Sequence, residues 1–111
     1  MIEATILNYL NEKLSVDVYM ERPEKDEGEY VVLEKTSGGK SNHIYQSTFA
    51  VQSFGNTFLG AAELNEEVKS VMDDLITLPE ISRSQLNSDY NYTDTSKKRY
   101  RYQAVYDITH Y

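Results

Sequence analysis

Apolar residues recur every three to four positions at the start of the chain: Ile2, Ile6, Leu10 and Leu14, with Leu7 beside them, mark one stripe of a helix. The spacing predicts a helix of about three turns that ends near Lys13. The period then drops to two, with Val16, Val18 and Met20 alternating against Asp17, Tyr19 and Glu21, as in a short strand. ERPEKDEGE breaks the alternation with Pro23, Gly28 and dense mixed charge, and predicts a solvated loop. EYVVLEKT follows as a strand covered at Val31, Val32 and Leu33. SGGKSN, residues 37–42, ends that strand. Gly38 and Gly39 can take positive φ there, which lets HIYQSTFAVQSF return antiparallel. On the returning strand Tyr45, Phe49 and Val51 share one face, and Gln46, Thr48 and Gln52 the other.

A second helix begins after Asn56 or Thr57, either of which can cap it, and ends before Pro79. Its stripe is Ala61, Leu64, Val68, Val71, Met72 and Leu75, while Glu63, Glu66, Glu67, Asp73 and Asp74 oppose Lys69 on the wet side. In residues 82–92, Leu86, Tyr90 and Tyr92 share parity and suggest a strand, with an irregular arm as the alternative. After the polar turn TDTSKK, the segment RYRYQAVYDITHY alternates without a break. Tyr100, Tyr102, Ala104, Tyr106 and Ile108 face one way, and Arg99, Arg101, Gln103 and Asp107 the other. The expected order is α-β-β-β-α-β-β, an α+β two-layer sandwich. Four to five mainly antiparallel strands would carry both helices on one face, in one domain over residues 1–111.

Composition narrows the function classes. The chain has no Cys, which removes disulfides, thiolate nucleophiles and cysteine metal sites and suits a reducing cytoplasm. Its start lacks a basic, apolar leader, and no apolar run reaches the roughly 20 residues a spanning helix requires, so a soluble protein is expected. Acids outnumber bases 18 to 11, a net charge of −7, which argues against a broad footprint on nucleic acid. Six of the ten tyrosines lie between Tyr90 and Tyr111, a bias that suits either half-covered strands or a protein interface.

Reactive constellations are weak. The two histidines, His43 after the glycine pair and His110 next to the last residue, are read as exposed near strand ends rather than as a base beside a nucleophile. Glu66-Glu67 and Asp73-Asp74 are adjacent on a helix and diverge, so neither pair alone converges on a metal ion. SGGKS has the wrong glycine spacing for a phosphate-binding loop and precedes a strand. KKRYR, residues 97–101, could bind a single strand by charge and stacking. Ion pairing by Arg99 and Arg101, across strands or between subunits, is the competing role, and the acidity of the whole favours it. No catalytic, cofactor or metal-binding residue is assigned, and no enzyme activity is expected. The residues expected to touch partners are Arg22 and Pro23 in the charged loop, Gly38, Gly39 and Lys40 at the hairpin, and Arg99 and Arg101 on the last strand.

Read end to end, VYMERPEK, EYVVLEKTSGGKSNHIYQSTFAVQSFG, AAELNEEVKSVMDDLITLPEISRSQLNSDYNYTDT and KRYRYQAVYDITHY resemble the small tail-terminator, or tail-completion, proteins of long-tailed phages and prophages of Gram-positive bacteria. The resemblance covers nearly the whole chain and is one of overall pattern, without a catalytic signature. It implies a mixed α/β subunit that assembles as a ring, with six copies the expected number. The ring would cap the tail tube, face the head connector and let DNA pass unbound. The subunit would act in the host cytoplasm during assembly and then at the virion's head-tail junction. The acidic balance then acquires a role, since an acid-lined channel repels phosphates. A head-closure adaptor, a regulatory protein-binding module and a small metal-dependent hydrolase are the alternatives.

Overall fold

The computed structural model describes residues 1–94, 96 and 99–111, and its elements follow the hydrophobic periods of the chain. They are α1 (Ile2–Lys13), β1 (Val18–Tyr19), β2 (Tyr30–Ser41), β3 (Ile44–Gly55), α2 (Phe58–Asp73), a 3-10 turn (Asp74–Thr77), β4 (Ile81–Asn91) and β5 (Tyr100–His110). One five-stranded sheet has the order β1-β2-β3-β5-β4. Every neighbouring pair is antiparallel except β1 with β2, which are parallel. The protein is therefore an α+β sandwich in the predicted element order.

The core lies between the helices and one sheet face. Leu33, Phe49, Val51, Ala104, Tyr106 and Ile108 from the strands meet Ile6 and Leu10 of α1 and Leu64, Val68 and Met72 of α2. Each fully buried large apolar side chain here contributes about 1.5–3 kcal/mol through removal from water. Tyr106 is buried whole, with its hydroxyl donating to Asp73 Oδ1 at 3.0 Å and to the Lys69 carbonyl at 3.2 Å. Burial first, and then the bond to Asp73, holds its pKa well above that of an ordinary phenol. The Thr57 hydroxyl accepts from the Gly60 amide at 2.9 Å and caps α2. Just before it, Gly55 brings the end of β3 against that helix, where a Cβ would lie 2.8 Å from the Ala61 nitrogen.

Four details depart from the expected picture. Gly38 and Gly39 lie inside β2 rather than at the hairpin tip. The turn is Asn42-His43, with φ of 50° and 67°, between the paired residues Ser41 and Ile44. A two-residue hairpin needs two left-handed residues, and Asn and His tolerate that region better than most. In β4 a register shift between Leu86 and Ser88 sets Leu86 level with core-facing Tyr106 and Tyr90 level with Gln103. Leu86 and Tyr90 therefore lie on opposite faces despite their shared parity, because a bulge adds one residue to the count. His110 is buried at 6 % exposure; it stacks on Tyr45 at 5.3 Å, with Nε2 3.0 Å from the Ser47 hydroxyl. Only His43 is exposed as expected. Finally, the charged loop is pinned to the sheet, as described next.

Candidate functional site

The sheet face away from the helices carries the most organised set of polar side chains. Its foundation is a second, small apolar cluster of Tyr30, Val32 and Phe54, whose positions alternate with the core residues Val31, Leu33 and Phe49. The Tyr30 and Phe54 rings stack at 4.6 Å. No helix covers them; guanidinium groups do. Arg22 lies 5.0 Å and Arg101 5.4 Å from the Phe54 centroid, and Arg99 lies 5.6 Å from that of Tyr30. Such contacts are worth roughly 0.5–2 kcal/mol each, depending on desolvation.

Asp26 organises the cluster. Its carboxylate accepts from Arg22, from the Tyr30 hydroxyl at 2.6 Å and from Arg99 Nε at 2.9 Å. Partial burial pushes this carboxyl up, but the Tyr30 hydroxyl, then Arg22 and Arg99, outweigh it and hold it below the ordinary carboxylate value. Arg99 also donates to the carbonyls of Gly28 at 2.7 Å and Gly55 at 3.4 Å and to Asn56 Oδ1 at 2.8 Å. Gly28 sits at φ 73°, a left-handed conformation that a side chain would strain. The loop over residues 20–29 keeps most of its charged side chains in solvent, as expected, but is tied through Asp26 and Gly28 to a residue more than 70 positions away.

Arg101 is placed differently. Its guanidinium lies over both Phe54 and Tyr92, 4.3 Å from the latter's centroid, and only its Nε is committed, to the Tyr92 carbonyl at 3.0 Å. Along the same face, Gln103 bonds Gln52 at 2.8 Å, and Asp107 accepts from Thr48 at 2.9 Å and Asn87 at 3.0 Å. Beyond Asp107 a polar shelf of about 370 Å³ is lined by Gly39, Gln46, Gln85 and Arg83 among others.

Of the residues expected to meet partners, Arg22, Arg99 and Arg101 come together around the stacked Tyr30–Phe54 pair. Arg99 has spent its donors within the chain and is only 13 % exposed at its side chain. Pro23 lies next to this group, on an open groove with Leu7, Val18, Tyr19 and Met20. Gly38, Gly39 and Lys40 belong to the far end of the sheet, about 26 Å from Arg101 at the rise of a strand. There Lys40 Nζ lies 5.2 Å over Tyr45. Lys97 and Lys98 of the basic run are outside the described residues.

Asp26, Tyr30, Phe54 and Arg83 escaped the sequence reading. The available signal was parity: Tyr30, Val32 and Phe54 form an apolar set out of phase with the core set on the same strands. Among the described residues, no group of three or more His, Asp or Glu is placed to hold a metal ion. No helix there is long and apolar enough to cross a membrane. No family model matches the chain, and no curated protein matches it.

Proposed function

We propose that the protein is a non-catalytic structural subunit of the head-tail junction of a long-tailed phage: a tail terminator that closes into a ring on the tail tube and meets the head connector. In this reading six copies form the ring, DNA passes through it without being held, and the ring is built in the host cytoplasm before it becomes part of the virion. The observation that carries the reading is that the sheet has two unlike borders. On one side the two-residue β1 covers only Val31 and Val32, leaving most of β2 without an outer neighbour among the described residues. On the other, β4 is an eleven-residue border broken by register shifts. Closed rings are built from subunits whose two contact surfaces differ and fit each other. The overall likeness of the sequence to tail-terminator proteins supplies the biological setting.

The test is to mix the purified protein with polymerised tail tubes and inspect their ends by electron microscopy. A terminal ring that halts tube growth is the expected result. Bare, still-growing ends at saturating protein would refute the terminator role. Binding to isolated connector rings instead of tubes would favour the head-closure role.

A further inference from the structure

All four arginines of the chain lie on one side of the molecule. Arg22, Arg99 and Arg101 surround Phe54 and Tyr30 on the sheet face opposite the helices, and Arg83 lines the polar shelf farther along that face. They are not equivalent. Arg99 is consumed by Asp26 and nearby carbonyls, and Arg22 is paired with Asp26. Arg101 lies over two rings and is anchored by its Nε to the Tyr92 carbonyl, with its terminal nitrogens uncommitted, and Arg83 is exposed with no hydrogen bond or ion pair among the described residues. A guanidinium fixed in orientation with its outer edge free suits carboxylates.

The opposite side of the molecule supplies carboxylates. On α2 and the turn after it, Glu63, Glu66, Asp73 and Asp74 are exposed, and Lys69, the cation of that helix, is bonded to Glu66 and Asp89. The two charge sets also run along the same axis. Phe58, at the start of α2, touches Tyr100 beside Arg101, and Met72, near its end, accepts from Ser84 beside Arg83. Glu63 therefore lies toward the Arg101 end and Asp74 toward the Arg83 end. A copy placed behind another in the same orientation presents acids at both ends to free guanidinium groups at both ends. This is a heterologous contact, because the sheet side of one copy meets the helix side of the next.

We infer that the arginine-bearing sheet face is a docking surface for the acidic helix layer of a second copy of this chain, with Arg83 and Arg101 meeting carboxylates of the Glu63 to Asp74 stretch. The docking rests on the ring reading above, and it adds a contact between the sheet face and the helix layer to the two unlike borders on which that reading stands. Its partner is the chain itself. Asp107 and Glu34 also lie on the sheet face, but Asp107 is committed to Thr48 and Asn87, and Arg83 and Arg101 are left without an acid there, while α2 and the turn after it present exposed acids at the matching ends. The contact is electrostatic, so it weakens as salt is raised.

The experiment is sedimentation of the purified full chain at high protein concentration, in low and high salt. Wild type is expected to associate in low salt and to dissociate in high salt. One variant, Arg83→Glu with Arg101→Glu, reverses the sheet side; another, Glu63→Lys with Asp74→Lys, reverses the helix side. Each alone should associate about a hundredfold more weakly, since like charges then face each other. Mixed in equal amounts, the two should associate again, because each sheet side then meets a helix side of opposite sign. Arg83→Glu alone guards against misfolding at Arg101, since Arg83 packs on no ring, and it should still weaken association. A wild-type chain that stays monomeric in low salt, or folded variants whose mixture does not recover, overturns the inference. Tubes capped by rings of a chain that behaves in this way would retain the terminator reading and reject only these contact surfaces. Salt-sensitive association restored by mixing, without capping, would do the reverse.

Discussion

The two faces of the sheet bury aromatic rings by different means. On the helix side, Phe49 and Tyr106 are enclosed by apolar side chains from both helices and neighbouring strands. On the other side, Phe54 is almost equally buried, at 1 % exposure, yet it has two partners in its cluster and a cover of two guanidinium groups, Arg22 held by Asp26 and Arg101 by the Tyr92 carbonyl. Equal burial thus conceals unequal dependence. The first face relies on close packing that cannot readily collapse, and the second on a charged lid whose long side chains can move into a gap.

Substitutions on the two faces separate these modes. Phe49→Ala should lose both the transfer energy of the ring and the cost of a persistent cavity, about 4 kcal/mol, read from a urea unfolding midpoint. Phe54→Ala should lose chiefly the transfer energy, about 2 kcal/mol, because arginine stems and water can fill the space. Equal losses would show that the lid is as rigid as the core. Tyr106→Phe keeps the ring but removes the hydroxyl that donates to the exposed Asp73 carboxylate and to the Lys69 carbonyl, and should cost about 1 kcal/mol.

An effect no larger than this is the most specific to the lid. Asp26 has a folded pKa below its unfolded value, so its contribution is complete above the ordinary carboxylate pKa of about 3.9 and is lost as pH falls through the depressed value. Asp26→Asn should therefore cost about 1 kcal/mol near pH 7, diminishing in high salt. The difference from wild type should disappear in strong acid, where both side chains are uncharged. A constant difference across the acid range would mean that Asp26 acts through shape rather than charge.

Periodicity revealed the core side almost completely. Ile6, Leu10, Leu64 and Val68 repeat at helical spacing, Ala104, Tyr106 and Ile108 at strand spacing, and all are buried where those periods place them. The lid was not legible, because its hub is one acid in a loop crowded with acids. In a loop without a regular period nothing marks Asp26 out from Glu24 or Glu27; the fold selects it by bringing Arg22 and Tyr30, four residues to either side, together with Arg99 from the far end of the chain. The hairpin tip was misplaced for a related reason. Glycine advertises conformational freedom, but pairing register determines where that freedom is needed, and Asn42 and His43 met the requirement instead. Bulges escape a count of alternation by their nature, which is why Leu86 and Tyr90 seemed to belong together.

The brevity of β1 has a consequence for the time over which backbone protons trade with solvent. Val31 gives its amide proton outward to Asp17, so two residues at a time, as far as the irregularity after Lys35, the amides of β2 point away from β3. Lys35 lies beyond the reach of β1. In deuterated water its amide should exchange quickly, while that of Glu34, turned inward, stays protected for far longer. A single strand would then carry fast and slow positions side by side, and slowing of the Lys35 signal on assembly would report that the border had gained a neighbour.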